Sequence, residues 1–115
     1  MRVIVINAKE QTIGEAEVPD SQGLDMLKAV YELIGGGCDI VERLPIPHDN
    51  IFVDEEGLYR QSFYWHHKRY PMPIAGSAVV FGRRNDGDNI TGSTETVEEV
   101  RDQVTFMGQG GRIDR

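Results

Sequence analysis

Apolar and polar positions alternate at the start of the chain. From Arg2 to Ala8, Val3, Val5 and Asn7 interleave with Ile4, Ile6 and Ala8. That period of two predicts a strand, and two largely apolar faces suit a central place in a sheet. Lys9 to Gln11 reads as a tight polar turn, and Thr12 to Val18 as a second strand with Ile13 and Ala16 or Val18 turned inward, so the chain opens on a hairpin. The period then lengthens. After Pro19, with Asp20 or Ser21 placed to cap, Leu24, Leu27, Tyr31 and Ile34 fall on one helical face supported by Val30, and Gly35-Gly36-Gly37 stops the helix. Strands follow at Asp39 to Leu44, ended by Pro45 and Pro47, and at Asn50 to Asp54. Ile74 to Phe81 reads as a buried strand in which Ala75-Gly76-Ser77 marks a bulge or close approach. Asn85-Asp86-Gly87-Asp88 carries the chemistry of a hairpin turn. A last helix is expected with Ser93 or Thr94 as cap, or Thr96 and Glu99 as a capping box, and an apolar stripe of Val97, Val100, Val104 and Met107.

These elements predict one α+β domain over residues 1–107, an antiparallel or mixed sheet of about five to six strands with two helices, and a disordered C-terminal tail at 108–115. A length of 115 residues fits one domain. The opening apolar run is too short for a signal-peptide core, and no stretch is long enough to span a bilayer, so no membrane association is expected. A single cysteine, Cys38, forms no disulfide within the chain and suits a cytoplasmic location.

Charge sharpens the picture. The net formal charge of −7 argues against bulk binding of nucleic acid. It is unevenly spread: no Asp or Glu lies between Gly57 and Asn85, where Arg60, Lys68, Arg69, Arg83 and Arg84 give +5, leaving −12 for the remainder. The same stretch holds five of the nine aromatics, at Tyr59, Phe63, Tyr64, Trp65 and Tyr70, with His66 and His67 among them. Aromatic faces stack on bases and cationic groups meet phosphates. Tyr, Trp and Arg are equally the residues of protein interfaces. A packed loop whose cations pair with the acidic remainder is the third reading of the same residues. The candidate partner- or ligand-binding residues are therefore Tyr59, Arg60, Tyr64, Trp65, His66, His67, Lys68, Arg69, Tyr70, Arg83 and Arg84.

Other chemistry is poorly supported. His48, His66 and His67 lack the spacing of a metal site, since adjacent histidines point apart on either a strand or a helix. Cys38 sits near Asp39 and Glu42, which would raise its pKa rather than activate it. Ser21, Ser62, Ser77 and Ser93 have no nucleophile-elbow context. The triple glycine follows a helix, the wrong end for a phosphate loop, and residues 85–89 lack the ligand spacing of a calcium loop. No catalytic residue, cofactor or metal is expected.

Three pieces carry a resemblance: Cys38-Asp39-Ile40-Val41-Glu42, then Ile51-Phe52-Val53-Asp54-Glu55-Glu56-Gly57, then Pro73-Ile74-Ala75-Gly76-Ser77-Ala78-Val79-Val80-Phe81-Gly82. In this order the chain, from Arg2 to Met107, resembles the short phage, plasmid and actinobacterial proteins grouped as domain of unknown function DUF3846. The resemblance implies a mobile-element setting and brings no catalytic residues. The expected function is non-catalytic binding of a protein partner, or self-association, through residues 59–84. The alternative is a nucleotide-like or single-stranded nucleic-acid ligand on the same stretch.

Overall fold

Strand β1 (Arg2–Asn7) pairs antiparallel with β2 (Thr12–Glu17), as the alternating pattern predicts. A computed structural model of the chain describes residues 1–20, 23–83 and 90–109, with the backbone alone at Arg83. Helix α1 (Leu24–Ile34) follows, then β3 (Val41–Pro45), β4 (Asn50–Asp54), the single turn α2 (Gly57–Arg60), β5 (Phe63–His67), β6 (Ile74–Ala75), β7 (Ala78–Arg83), β8 (Ile90–Thr91), α3 (Val97–Gln103) and β9 (Val104–Gln109).

The strands form two sheets. The larger has six strands in the order β2-β1-β7-β4-β3, with β8 on β7; the smaller is β6-β5-β9. Every pairing among the described residues is antiparallel. Alternation along the central strands makes two cores, because successive side chains point to opposite faces. Val3, Phe52, Val79 and Phe81 face α1, where Met26, Val30 and Ile34 meet them. Ile4, Ile6, Ile51, Val53, Ala78 and Val80 face the other way, onto Trp65 and Ile74 of the smaller sheet and Val100 of α3. The domain is thus a helix, a sheet, and a second sheet flanked by α3.

Four readings from sequence change. The apolar face of α1 is centred on Met26, Val30 and Ile34, while Leu24 is 74% exposed. The helix starts after Gly23 with no side-chain cap, so Asp20 does not cap it, and Ser21 lies outside the described residues. The helix ends on Gly35 at φ 71°, as the glycine run predicts. The segment from Ile74 to Phe81 is two strands in two sheets. Gly76 at φ 91° turns the chain from one to the other, and Ser77 Oγ accepts a bond from Ala8 N–H at 2.9 Å. A side chain at that φ would be strained.

The last helix is also shorter. Thr96 caps it in a full capping box with Glu99, but it stops at Gln103. Val104 and Met107 belong to β9, which pairs with β5. The β-branched and aromatic run Val104-Thr105-Phe106 completes the smaller sheet, and that pairing overrides the helical spacing. β9 continues through Gly108 and Gln109, two residues into the expected tail. α2 was not foreseen. The turn read at Asn85–Asp88 lies outside the described residues.

Candidate functional site

Asp54, at the end of β4, organises one corner of the domain. Its buried carboxylate accepts from Arg60 Nε at 2.8 Å and Nη2 at 3.0 Å, from Gln61 Nε2 at 2.9 Å and from Glu56 N–H at 2.9 Å. Burial pushes its pKa up, but those donors overcome that and hold it below the usual aspartate range. Arg60 also reaches Asp39 at 3.0 Å and Glu56 at 3.5 Å, and its pKa is raised by the bonds to Asp54 and Asp39. Three carboxylates therefore surround one cation.

This clamp fixes α2. Gly57 lies so close to β6 that a Cβ there would meet the Ala75 carbonyl oxygen at 2.6 Å. With its glycine against the sheet, the turn points Leu58 and Tyr59 outward, 73% and 91% exposed. On the far side, Tyr70-Pro71-Met72-Pro73 links β5 to β6. The Tyr70 hydroxyl donates to the Pro45 carbonyl, tying that link to the end of β3, and Met72 is 70% exposed.

Between α2 and this link runs an apolar groove of about 320 Å³. Leu44, Val53, Ile74 and Ala75 line it together with Leu58, Tyr70, Pro71, Met72 and Pro73. Glu42 and Glu55 stand at its acidic end, and among the described residues neither makes an ion pair. Exposed large apolar side chains beside a recess mark an interaction surface more than they mark a core.

The aromatic and basic residues singled out in the sequence do not form one patch. Trp65 is fully buried at the centre of the second core, its indole N–H donating to Gly76 O at 2.9 Å, and Tyr64 is buried beside it. Trp65 is closed off from any surface ligand, whereas Tyr64, though largely buried, lines a shallow pocket of about 310 Å³ together with Tyr59 and Arg60. His67 is buried and His66 half-buried, on alternate positions of β5. His67 Nδ1 accepts from Arg69 N–H at 3.0 Å, so Nε2 carries the proton and donates to Gln103 Oε1 at 2.8 Å. Burial lowers the His67 pKa, against the Gln103 bond. Arg60 is taken up by carboxylates, while Lys68 and Arg69 are exposed in the turn after β5. Tyr70 lines the groove and Tyr59 stands next to it in sequence at Leu58. Arg83 closes β7, and Arg84 lies outside the described residues.

A buried polar chain was missed. Gln103 Nε2 donates to Glu95 Oε1 at 2.8 Å, and Glu95 Oε2 has no partner among the described residues. Burial raises the Glu95 pKa; the Gln103 bond opposes this, and nearby Asp49 adds to it. Asp49 in turn accepts from Ser93 Oγ at 2.7 Å and from the Thr94 and Glu95 N–H groups, which pins the approach to α3. Cys38 is buried, and burial followed by the charge of Asp54 pushes its thiol up. The described residues contain no cluster able to hold a metal ion and no helix long and apolar enough to cross a membrane.

A family model described as Domain of unknown function (DUF3846) matches residues 1–105, and the chain belongs to that family. No curated protein and no solved structure matches it significantly.

Proposed function

We propose that this member of the DUF3846 family is a non-catalytic binding protein of mobile-element origin, acting in the cytoplasm, that engages a protein partner through the groove between α2 and the Tyr70–Pro73 link. The observation that carries this reading is the pair Leu58 and Met72, each more than two-thirds exposed, on either side of a recess lined by Leu44, Val53 and Ile74. Two large apolar groups held in water by a rigid corner gain free energy when a partner covers them. A different protein fits better than a second copy. The chain carries −7, and self-pairing would bring the Glu42 and Glu55 ends of two grooves into each other's field.

A nucleotide-like ligand or single-stranded nucleic acid remains the alternative for the same stretch. It draws less support, because Trp65 and Tyr64 are buried and Arg60 is neutralised by carboxylates, leaving Tyr59, Lys68 and Arg69 among the described side chains of that stretch to meet it.

The test uses wild type and a Leu58→Glu/Met72→Glu double variant as baits in a host lysate. The captured polypeptide is identified, purified and titrated against both. A loss of about tenfold or more in the double variant is expected, and equal affinity overturns the proposal. A dimer by light scattering transfers the groove to self-association. A rise in melting temperature with a nucleotide, lost in Lys68→Ala/Arg69→Ala, favours the alternative.

A further inference from the structure

The strand beside the groove has an unpaired edge. β3 is the last strand of the larger sheet and pairs only with β4 among the described residues. Two bonds beyond the ends of this ladder fix which way its backbone turns. Glu55 N–H donates to Ile40 O at 3.1 Å, and Ile46 N–H donates to Asp49 O at 2.9 Å. In an antiparallel pair, opposed residues alternate between those that exchange hydrogen bonds and those that do not. Ile40 and Ile46 turn their backbone groups toward β4, so Glu42 and Leu44 do the same. Val41, Arg43 and Pro45 therefore turn theirs to the open side.

The side chains follow the opposite bookkeeping of faces. Glu42 and Leu44 line the groove, whereas Arg43 lies over the Phe52 and Phe81 rings, 5.9 and 5.7 Å from their centroids, on the α1 side of the sheet. Pro45 has no N–H to offer, and its carbonyl already accepts from the Tyr70 hydroxyl. What remains on the edge is a short ladder, the N–H and C=O of Val41 and of Arg43, with Glu42 and Arg43 exposed to water. It is closed at one end by Pro45 and Tyr70 and opens along its side onto the groove.

Resting on the groove reading above, we infer that the partner enters as an extended segment that adds a strand to the free edge of β3 and carries a basic residue two positions from an apolar one. Adding a strand supplies main-chain bonds without regard to sequence, and alternate side chains supply the choice. A partner residue opposite Glu42 shares the groove face and meets a carboxylate that no described residue pairs, which suits lysine or arginine. The residue opposite Leu44 shares that face too and covers apolar surface. Opposite charges and apolar pairs directly across a ladder are both favourable. Residues between them point to the other face, opposite Arg43, where a polar or acidic side chain fits.

The probe is a capped seven-residue peptide alternating threonine with valine, lysine and leucine, with the lysine central so that either strand direction places it opposite Glu42. Its counterpart carries glutamate for lysine. A third copy has methyl groups on alternate backbone nitrogens, which removes ladder donors and leaves the side chains. Affinity is read by fluorescence anisotropy and location by amide shifts and exchange protection. The lysine peptide should bind and protect Val41 and Arg43, with the glutamate peptide about tenfold weaker or worse. Glu42→Lys should reverse that preference. The methylated peptide should bind about tenfold more weakly or not at all, as should the lysine peptide to Arg43→Pro, whose lost N–H serves no bond among the described residues.

Unchanged affinity of the methylated peptide overturns strand addition; if Met72→Glu still weakens that binding, the groove reading survives alone. No preference between lysine and glutamate overturns the charge assignment. Failure of every peptide to bind overturns the inference, while the captured polypeptide and its dependence on Leu58 and Met72 judge the groove separately.

Discussion

Replacing Trp65 with phenylalanine separates two roles that this residue could have. Its ring is fully buried among Ile4, Ile6, Ile51, Val80 and Val100, and its N–H satisfies the Gly76 carbonyl where the chain crosses between sheets. Phenylalanine leaves that carbonyl unpaired, at a cost of about 1–3 kcal/mol. It also removes apolar volume on the order of one to two methylenes, about 0.8 kcal/mol each before any cavity term. The expected loss is about 2–4 kcal/mol, a large share of the roughly 5–15 kcal/mol that holds a domain together. For 115 residues the unfolding entropy is on the order of 240 cal/mol/K, so each kcal/mol moves Tm by about 4 °C. Trp65→Phe should therefore lower Tm by about 8–16 °C in calorimetry. Tyr59→Phe, at an exposed site, should change it by less than about 2 °C. Wild-type emission from this one tryptophan should be blue-shifted and poorly quenched by acrylamide. A fall below about 4 °C, or free quenching, would refute the placement of Trp65 in the core and return it to the surface.

The clamp on Asp54 predicts an acid response. Its depressed pKa contributes stability that is present above the usual aspartate range and lost as pH falls through the lowered value. Urea titrations of Arg60→Gln should show a deficit at neutral pH that shrinks on acidification; a deficit independent of pH argues against the clamp. Glu95 works with the opposite sign. Its raised pKa gives stability that is present below the usual glutamate range and lost as pH rises through the raised value. The groups bearing on it are Gln103, Asp49, His48 and Glu99, and Glu95→Gln should flatten the stability profile between weakly acid and neutral pH relative to wild type. Gly76→Ala should cost about 1–3 kcal/mol for its positive φ, with Gln61 in the way of the new methyl, while Gly14→Ala, with open space around it, should be neutral or stabilising by up to about 1 kcal/mol. Cys38 should react with a thiol reagent only as fast as the domain opens, and rapid labelling of the native protein would contradict its burial.

Much of the fold was legible because its central strands announce themselves. Ile4-Val5-Ile6, Ile51-Phe52-Val53 and Ala78-Val79-Val80 are short β-branched or apolar runs, and all three became core strands. The glycine stop of α1 and the Thr96–Glu99 box were legible for the same reason, since both are local chemistry. What stayed hidden was decided at a distance. Nothing local ends α3 at Gln103 except the demand of β5 for a second neighbour. Nothing local tells the rim of α1 from its buried face, because Leu24 and Met26 are equally apolar and only the position of Phe52 and Phe81 chooses between them. The division of Ile74 to Phe81 between two sheets was signalled by Gly76, read as a bulge or close approach but not as a crossing.

The aromatic and basic stretch was legible in sequence as a stretch but not as an arrangement in space. Aromatic and basic residues in one stretch look like one surface, yet β5 alternates: Trp65 and His67 lie on one face and Tyr64 on the other, and all three are buried. Charge divides likewise. Arg60 belongs to a run with no acid in sequence, but the fold brings Asp39, Asp54 and Glu56 around it, whereas Lys68 and Arg69 stay exposed. Among the described residues Glu42 and Glu55 meet no cation, at a groove whose walls, Leu58 and Met72, carried no signal stronger than two apolar residues beside glycine and proline. The groove is thus apolar and acidic, while Lys68 and Arg69 keep their charge at the surface in the turn after β5. Arg60 alone is withdrawn from that stretch by buried charge, because a carboxylate as enclosed as Asp54 takes the nearest guanidinium whatever the surface then lacks.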